Sequence, residues 1–336
     1  MRHAKLYRYQ LAMDSGVILR QERLTHREGY IIHLQTEQGQ GYGEVAPLPG
    51  FSLETLTQIE PVLIELLELW VTTGQWPHDL DAFPPSVAFG LSMARMSLNG
   101  ELEDSDVVKV APLCSGDPDE LLPILERMEG EPIAKMKVGF YEPIRDGILV
   151  NLFLESLPDL TVRLDANQQW NLDKALKFAS YIQPQHRRRI AFIEEPCQSK
   201  DDSLEFAAQT QIAIAWDEQM QTAVRDAKVN ELDAPHVGAW IIKPSLIGSV
   251  QRCQKLITQA QDLGLQVVIS SSLESSIGLN QLRKLSAQYL PQTIPGLDTL
   301  QLFQQQLEHP WPNSPLPLLS LDSQVCVWEG KSDVNA

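Results

Sequence analysis

Short apolar runs alternate with helix-like segments over most of the chain after Val107. The runs are VVKVAPL, IAKMKVG, TVRLDAN, IAFIEEP, IAIAWDE, GAWIIKP and QVVISSS. Strands that alternate with helices indicate βαβ units and a parallel sheet. Seven such strands favour a barrel over a small open sheet.

The first hundred residues have a different pattern. YIIHLQT and GYGEV are β-rich runs, and residues 37–41 between them carry turn chemistry. Residues 53–71 have apolar positions at helical spacing, and residues 84–98 indicate a second helix with proline at its start. The pattern therefore predicts an α+β unit ahead of the barrel.

Polar residues fall at the ends of the apolar runs, at intervals of 23 to 29 residues. They are Lys137, Asp165, Glu194, Asp217, Lys243 and Ser270. In a (β/α)-barrel the carboxyl ends of the strands form the active-site face, and several strands contribute to it. An open doubly wound sheet would also place functional groups there. The first strand is not followed by a Gly-rich phosphate loop, so we favour the barrel.

Three acidic residues, Asp165, Glu194 and Asp217, follow successive strands, so their side chains should converge. Clustered carboxylates repel one another, and a divalent cation relieves that repulsion. Ligands that are all oxygen favour Mg²⁺ or Mn²⁺, whereas zinc would be expected to have His or Cys ligands. The alternative is that each acid caps the helix that follows it.

Two lysines, Lys135 and Lys137, point to the same face of one strand, and Lys243 ends a strand across the barrel. A lysine beside another ammonium group and a metal ion has a lowered pKa, so it can act as a neutral base. The alternative is an exposed strand edge, but the apolar neighbours of the lysines argue against it. Arg163 shares the face of Asp165, where it either pairs with a carboxylate or orients Lys135.

Two further stretches are candidates for substrate contact. SSSLESSIGL, residues 270–279, offers hydroxyl and backbone N–H groups at a helix N-terminus, which suit either a bound carboxylate or ordinary capping. APLPGFS, residues 46–52, is either a plain turn or a lid over the barrel mouth.

Composition excludes several classes of protein. The 336 residues are 43% hydrophobic and carry a net charge of -17, which argues against a nucleic-acid-binding protein. The first residues show no signal-peptide pattern, and no apolar stretch is long enough to span a membrane. The cysteines are scattered without a CxxC pair, so we expect free buried thiols in a reduced, cytoplasmic enzyme. They are Cys114, Cys197, Cys253 and Cys326.

The motifs AKMKVG, RLDAN, IEEP, WDE, IKPS and SSSLESS, in this order and spacing, resemble the enolase superfamily. The resemblance is to the branch related to muconate lactonising enzyme, and it runs through nearly the whole chain. The longer stretches VAPLPGFSLET, PSVAFGLSMA, APLCSGDPDEL, VGFYEPIRDG, DANQQW and IPGLDTL are similar to the o-succinylbenzoate synthase family.

This resemblance implies a (β/α)7β TIM-like barrel over residues 105–300, with an N-terminal α+β capping domain over 1–104 that residues 301–336 complete. It also implies a Mg²⁺-dependent enzyme, with Mn²⁺ as an alternative ion. The expected reaction is syn dehydration of 2-succinyl-6-hydroxy-2,4-cyclohexadiene-1-carboxylate to 2-succinylbenzoate, on the route to menaquinone or phylloquinone.

The resemblance implies roles for individual residues as well. Asp165, Glu194 and Asp217 would hold the metal, while Lys137 would take the α-proton and return it to the departing hydroxide. Lys243 would stabilise the enediolate from the opposite face, and Lys135 is expected to be a third catalytic lysine. The expected substrate-contacting residues are Arg163, Asn167, Ser270, Ser271, Ser272, Pro49 and Gly50. The partner is a small dicarboxylate substrate, without nucleic acid or membrane, and we expect a monomer.

Three other functions compete with this interpretation. An N-acylamino acid racemase or dipeptide epimerase of the same superfamily would use the two lysines as acid and base on opposite faces. A Schiff-base aldolase would use Lys243 as the amine that bonds carbon. A metal-binding or scaffold protein without activity would leave Lys135 and Lys137 unexplained.

Overall fold

The computed structural model describes residues 1–14, 18–19, 22–102, 109–114, 117–128 and 132–332. Its N-terminal part contains a β-sheet with two long helices and a short 3-10 helix at Leu80–Ala82. The strands and helices are β1 (His3–Ala12), β2 (Ile18–Leu19), β3 (Glu22–Arg23), β4 (His26–Thr36), β5 (Gly39–Val45), α1 (Leu56–Thr73) and α2 (Pro85–Leu98). Both predicted helices and both predicted strands are therefore present.

Alternating strands and helices make up the middle of the chain. They are β6 (Leu113–Cys114), α3 (Pro118–Glu126), β7 (Ile133–Lys137), α4 (Pro143–Ser156), β8 (Thr161–Asp165), α5 (Leu172–Tyr181), β9 (Ile190–Glu194), α6 (Lys200–Thr210), β10 (Ile214–Trp216), α7 (Glu218–Arg225), β11 (Val237–Ile242), α8 (Pro244–Ile247), α9 (Val250–Asp262), β12 (Gln266–Ile269) and α10 (Ser276–Tyr289). Short 3-10 turns lie at Arg187–Arg189 and Val229–Leu232. The seven strands are parallel neighbours in the order β12-β11-β10-β9-β8-β7-β6.

The eighth position of the barrel is filled by an irregular segment, residues 294–297. Gly296 forms an isolated parallel bridge with Ser270, next to β12. On the other side, the backbone N–H of Ala111 donates to the carbonyl of Pro295 at 3.1 Å, just before β6. The ring of strands is thereby closed, which agrees with the predicted (β/α)7β barrel. Of the predicted first run, residues 107 and 108 lie outside the described residues, and Pro112, which precedes β6, has no N–H to donate to a ladder.

The C-terminal part returns to the N-terminal sheet. Its elements are β13 (Gln306–Leu307), β14 (Leu318–Leu319) and β15 (Val325–Lys331), with 3-10 turns at Leu300–Leu302 and Leu321–Ser323. Strand β15 pairs antiparallel with β1, so the sheet has the order β15-β1-β4-β5. This α+β layer, called the cap below, is therefore completed by the C-terminal segment, as predicted. The predicted boundary between residues 104 and 105 lies outside the described residues and stays a prediction.

Alternating residues of the cap sheet are buried on both of its faces. One face, with Leu6 and Ile32, packs against α1 and α2, while the other, with Tyr9 and Ile31, joins the core around the barrel. A separate small cluster fills the inside of the barrel and consists of Phe192, Ala215, Ala239, Ile241 and Val268. The cap and the barrel thus share the cluster that contains Tyr9 and Ile31, while the cluster inside the barrel is separate from it.

Three of the four cysteines match the expectation of buried free thiols, and one does not. Cys114, Cys197 and Cys253 are buried and free. Cys326 is exposed, because it lies on β15 at the edge of the cap sheet, so that prediction is wrong for this residue. Across the described residues, no helix is long and apolar enough to cross a membrane.

A buried carboxylate joins the cap to the barrel. Glu44, on β5, accepts hydrogen bonds from the backbone N–H groups of Ser275 and Gly278 at 2.9 Å each, and from the hydroxyl of Tyr9 at 2.6 Å. A Cβ atom at Gly278 would lie 2.6 Å from Oε2 of Glu44, so a glycine is needed there. Glu44 therefore caps the N-terminus of α10, where a negative charge is favourable.

Replacing Glu44 by alanine is expected to lower the free energy of unfolding by about 3 kcal/mol or more, because several buried donors lose their acceptor. Urea unfolding followed by circular dichroism measures the change. Glu68→Ala, at an exposed position on α1, is the control and should change stability by less than about 0.5 kcal/mol. Equal stabilities of the two variants would show that the hydrogen bonds of Glu44 contribute nothing to the free energy of unfolding.

Candidate active site

The predicted site residues lie in one row across the carboxyl ends of the strands. Lys137 is the register partner of Asp165, and Asp165 is the partner of Glu194 on the next strand. Asp217 directly follows β10, and Lys243 directly follows β11. The strand register therefore brings all five side chains to the same mouth of the barrel.

Helix capping does not explain the three acids. The side chains that cap α5 and α6 are those of Asn171 and Ser199. Asp217 occupies the cap position of α7, but within the described residues its side chain makes no capping hydrogen bond. The interpretation of these acids as helix caps is therefore wrong, and their carboxylates remain available for the site.

Lysine side chains lie directly against the three carboxylates. Nζ of Lys135 is 2.6 Å from Oε2 of Glu194 and 2.9 Å from Oδ2 of Asp165. Nζ of Lys137 is 2.6 Å from Oδ2 of Asp165, and Nζ of Lys243 pairs with Oδ2 of Asp217. In this conformation the described residues include no group of three His, Cys, Asp or Glu side chains arranged to hold a metal ion. The ammonium groups balance the negative charge of the carboxylates.

These contacts determine the charge states of the buried groups. Burial alone would raise the pKa of Asp165, but the ammonium groups of Lys135 and Lys137 hold it well below its usual range. Burial, together with the charges of Asp165 and Asp217, raises the pKa of Glu194 to about 7, against the lowering effect of Lys135.

The predicted lowering of a lysine pKa does not hold for Lys135 or Lys243. Burial lowers the pKa of Lys135, but the nearby carboxylates outweigh it and raise the pKa above its usual value. The pKa of Lys243 is raised in the same way, with Asp217 as its main partner. The prediction assumed that a metal ion would be the neighbour, whereas in this structure the nearest charges are carboxylates.

The donor set nevertheless fits a hard divalent cation. Asp165, Glu194 and Asp217 offer only oxygen atoms, come from three adjacent strands and are at most 2% exposed. Burial first, and then the charges of Asp165 and Asp217, raise the pKa of Glu194, as expected for carboxylates placed close together, which repel one another. A dication would relieve this repulsion once the ammonium groups moved off the carboxylates.

The two candidate acid–base lysines lie on opposite sides of the carboxylates. Strand β7 carries Lys137, β11 leads to Lys243, and the three strands between them carry the acids. Positions four strands apart in an eight-position barrel face each other. A flat substrate bound at the carboxylates would therefore have one lysine on each face.

Two further buried acids, Glu195 and Glu218, lie beside the three strand-end acids and were not predicted. Glu195 accepts hydrogen bonds from the backbone N–H groups of Asp217 and Gln219 at 3.0 and 2.9 Å, so it fixes the start of α7. Burial and the charge of Glu218 raise the pKa of Glu195 to about 8. Glu218 lies within 3.5 Å of the side-chain amide of Asn167, which also contacts Lys137. The sequence signal that could have identified Glu195 and Glu218 is the second of two adjacent acidic residues in IEEP and in WDE.

Over the residues that the structure describes, Arg163 forms no ion pair, which was one of the two roles predicted for it. Its Nη1 donates to the carbonyl of Ile294 at 2.6 Å, and its guanidinium lies 5.7 Å from the ring centre of Phe192. Among the described residues its Nε and Nη2 have no partner, although the residue is only 2% exposed. Burial lowers its pKa to about 10. Its position places it inside the barrel, as the register partner of Lys135 and one layer below the acids.

The serine-rich stretch is less open to a ligand than predicted. The N–H of Ser270 donates to Ile242, that of Ser271 to Gly296, and that of Ser272 to Glu274. The N-terminus of α10 is capped by the hydroxyl of Ser275 and by Glu44. Capping is therefore the correct one of the two interpretations of this helix end, because a carboxylate of the protein itself occupies it.

The loop at residues 46–52 borders a cavity that Glu218 also lines. Pro49 and Gly50 are exposed at its tip, and Gly50 has a φ of 79°. The ring of Phe51 lies 6.0 Å from Nζ of Lys243. The cavity measures about 670 Å³ and extends from Gly50 and Phe51 to Gln168 and Glu218. Glu218 directly follows Asp217, so the cavity lies next to the acids of the site.

Two family models match this chain. The model of the MenC N-terminal domain matches residues 1–98, and the model of the enolase C-terminal-like domain matches residues 125–312. Together they cover most of the cap and of the barrel.

Several relatives of known name are similar over nearly the whole length. The chain is 58% identical to the o-succinylbenzoate synthase of Vibrio cholerae, covering 99% of this chain and 100% of the relative. It is 50% identical to that of Pectobacterium atrosepticum, covering 98% and 100%.

Solved structures share the fold at lower identity. The o-succinylbenzoate synthase of Thermosynechococcus elongatus, complexed with Mg in the active site, has a TM-score of 0.73 at 23% identity and covers 94% of this chain and 96% of its own. A dipeptide epimerase of Enterococcus faecalis, complexed with Mg and a dipeptide, has a TM-score of 0.71 at 18% identity, covering 90% and 92%. These similarities support the barrel-and-cap fold.

Proposed function

We propose, because the chain belongs to the o-succinylbenzoate synthase family of the enolase superfamily, that its three strand-end acids hold Mg²⁺ and that Lys137 and Lys243 act on opposite faces of the substrate. The observation that carries this proposal is the row Lys137, Asp165 and Glu194 in strand register, with Lys243 across the barrel.

The enzyme is a carbon–oxygen lyase of menaquinone biosynthesis. It dehydrates 2-succinyl-6-hydroxy-2,4-cyclohexadiene-1-carboxylate to 2-succinylbenzoate and water. The bond from ring carbon C1 to hydrogen breaks, the bond from C6 to the hydroxyl oxygen breaks, and a double bond forms between C1 and C6. Since the product ring is aromatic, the energetic barrier lies mainly in removal of the C1 proton.

Lys137 is the proposed base. It must begin as a neutral amine, and its Nζ then takes the C1 proton and passes it to the departing hydroxide as water. Its side chain is 29% exposed, compared with 12% for Lys135. Lys137 therefore faces the mouth where substrate arrives, whereas Lys135 bridges Asp165 and Glu194 beneath it. When bound, Mg²⁺ supplies positive charge that makes the C1 proton more acidic.

Lys243 has a different proposed task. In this structure its ammonium group pairs with Asp217, and the nearby carboxylates outweigh burial and raise its pKa. A fixed positive charge in a buried site stabilises the negative charge that develops on the substrate when the proton leaves. Lys243 thus needs its charge, and not the loss of a proton, for the dehydration.

The purified protein provides the direct test of this function. Conversion of the diene is followed by absorbance, after treatment with EDTA and after re-addition of Mg²⁺. We expect turnover to disappear with EDTA and to return with the metal. Turnover that is indifferent to EDTA, together with trapping of a Lys243 adduct by borohydride, would instead support an aldolase.

Replacing Glu194 by glutamine is expected to weaken Mg²⁺ binding, because it removes one of three negative charges at nearly constant shape. Activity should fall at low Mg²⁺ and recover partly at high Mg²⁺. Isothermal titration calorimetry measures the affinity, and Glu205→Gln, an exposed position on α6, is the control. Unchanged affinity in the Glu194 variant would rule this residue out as a ligand.

Finer features belong to the same proposal. Mn²⁺ should replace Mg²⁺ in the oxygen-donor site. Asn167, which contacts Lys137 at 2.6 Å, and Gly50, which lines the cavity, are the predicted substrate contacts that the geometry supports best. Pro49 precedes Gly50 at the exposed tip of the same loop. We further propose that the enzyme acts in the cytoplasm as a monomer.

A further inference from the structure

Arg27 is a buried guanidinium whose described partners are all backbone carbonyl groups. It lies on β4 and is 1% exposed. Its hydrogen bonds run from Nε to Leu273 O (2.9 Å), from Nη1 to Pro47 O (2.7 Å) and Glu28 O (3.1 Å), and from Nη2 to Ala46 O (2.6 Å) and Ser272 O (3.4 Å).

This burial needs an explanation beyond general stability. Arg27 acts on the buried hydroxyl of Tyr9 together with the charges of Glu44 and Glu274, but within the described part of the chain it makes no ion pair with either acid. A buried charge is costly, and the direct hydrogen bonds of this guanidinium all go to carbonyl groups. Four of the five carbonyls belong to two separate loops, at residues 46–47 of the cap and at residues 272–273 of the barrel, and the fifth is that of Glu28 on β4.

Both loops border the active site. The first continues into a tight turn, in which the N–H of Leu48 donates to Oγ of Ser52 at 2.9 Å and the carbonyl of Leu48 accepts from Phe51 and Ser52. That turn places the ring of Phe51 over Lys243. The second follows β12 and has Leu273 at a φ of 60°, a backbone conformation that few residues other than glycine adopt. Arg27 therefore links the cap side of the mouth to the barrel side.

We propose that Arg27 is a positioning residue for the substrate, which fixes the loop at residues 46–52 against the loop at residues 270–273 across the barrel mouth. It touches neither the lysines nor the acids, so it acts on how the substrate is held. The loop at residues 46–52 is then a fixed wall of the site, because its base is tied to the barrel by a buried cation.

A second arginine offers a matched comparison. Arg189 also donates to several backbone carbonyls, among them those of Leu157 and Pro158 at 2.8 and 2.9 Å. It directly precedes β9, so it lies at the amino end of the barrel strands, opposite the active-site mouth. Loss of Arg189 should therefore destabilise the fold without affecting how the substrate is held.

The test rests on the proposed function and compares Arg27→Lys, Ser52→Ala and Arg189→Lys with the unmodified enzyme in the diene assay. We expect Arg27→Lys and Ser52→Ala to raise KM at least about tenfold while kcat changes much less, because misplacement of a substrate-holding group mainly weakens binding. Ser52→Ala removes the hydrogen bond from the N–H of Leu48 within the same loop. It therefore remains informative if Arg27→Lys does not fold. Arg189→Lys should leave KM unchanged.

Chemical rescue separates positioning from plain destabilisation. In Arg27→Ala, millimolar guanidinium should restore the affinity for 2-succinylbenzoate measured by calorimetry, whereas methylammonium should not, because only the planar guanidinium bonds both loops. An unchanged KM in both Arg27→Lys and Ser52→Ala, or equal KM effects from Arg189→Lys, would overturn the proposal. If the unmodified enzyme itself does not turn over the diene, the proposed function fails instead.

Discussion

Lys137→Ala is expected to abolish dehydration while the protein remains folded. The loss should exceed the roughly 10²–10⁴-fold typical of general acid–base catalysis, because the same Nζ both takes the proton and returns it. Lys137 is partly exposed at the barrel mouth, so its removal leaves the packed core intact. Steady-state turnover of the diene and thermal unfolding measure the two effects.

Lys174→Ala is the control for Lys137→Ala. It removes an exposed lysine from α5 and should leave turnover unchanged. A Lys137→Ala enzyme that retains a tenth of normal turnover would rule this residue out as the base. Lys135 would then be the next candidate, since it lies on the same face of β7.

The two substitutions of Lys243 distinguish the dehydratase from its rivals. Lys243→Ala should reduce dehydration by about 10³-fold or more, since a fixed charge leaves a buried site. Lys243→Arg keeps the charge but can neither act as a base nor form an imine. We expect it to retain measurable dehydration and to lose all racemisation of N-succinyl amino acids, which is the reaction of the related racemases.

Arginine is bulkier than lysine, so an inactive Lys243→Arg enzyme needs a second measurement. Deuterium exchange at the α-carbon of a substrate analogue that cannot eliminate, followed by NMR in D₂O, reports proton removal alone. Exchange through Lys137 should persist in Lys243→Arg and vanish in Lys137→Ala. The opposite pattern would mean that the two lysines have exchanged roles.

The positions of the site residues were predictable because a barrel repeats one strand and one helix. A polar residue at the end of each apolar run, at nearly equal intervals, is sufficient to place Lys137, Asp165 and Glu194 in one row. Alternation within the strand also shows that Lys135 shares the face of Lys137. These predictions depend only on local patterns and on the geometry that parallel strands impose.

Contacts between distant segments were not predictable in this way. Glu44 caps a helix that begins more than 200 residues later in the chain, and no local pattern indicates that partner. The carbonyl partner of Arg163 comes from the irregular segment that fills the eighth barrel position. The raised pKa of Lys135 depends on Asp165, Glu194 and Asp217, at the ends of three other strands, so a strand motif alone could not give its direction.

The pairing of β15 with β1 has a consequence for how fast the cap can fold. His3 is in register with Lys331, so the sheet gains this strand only when two segments more than 300 residues apart in the sequence meet. Until that pairing forms, β1 presents an open edge on that side. Because such a long loop must be closed before the pairing stabilises the sheet, we expect the cap to be completed late in folding.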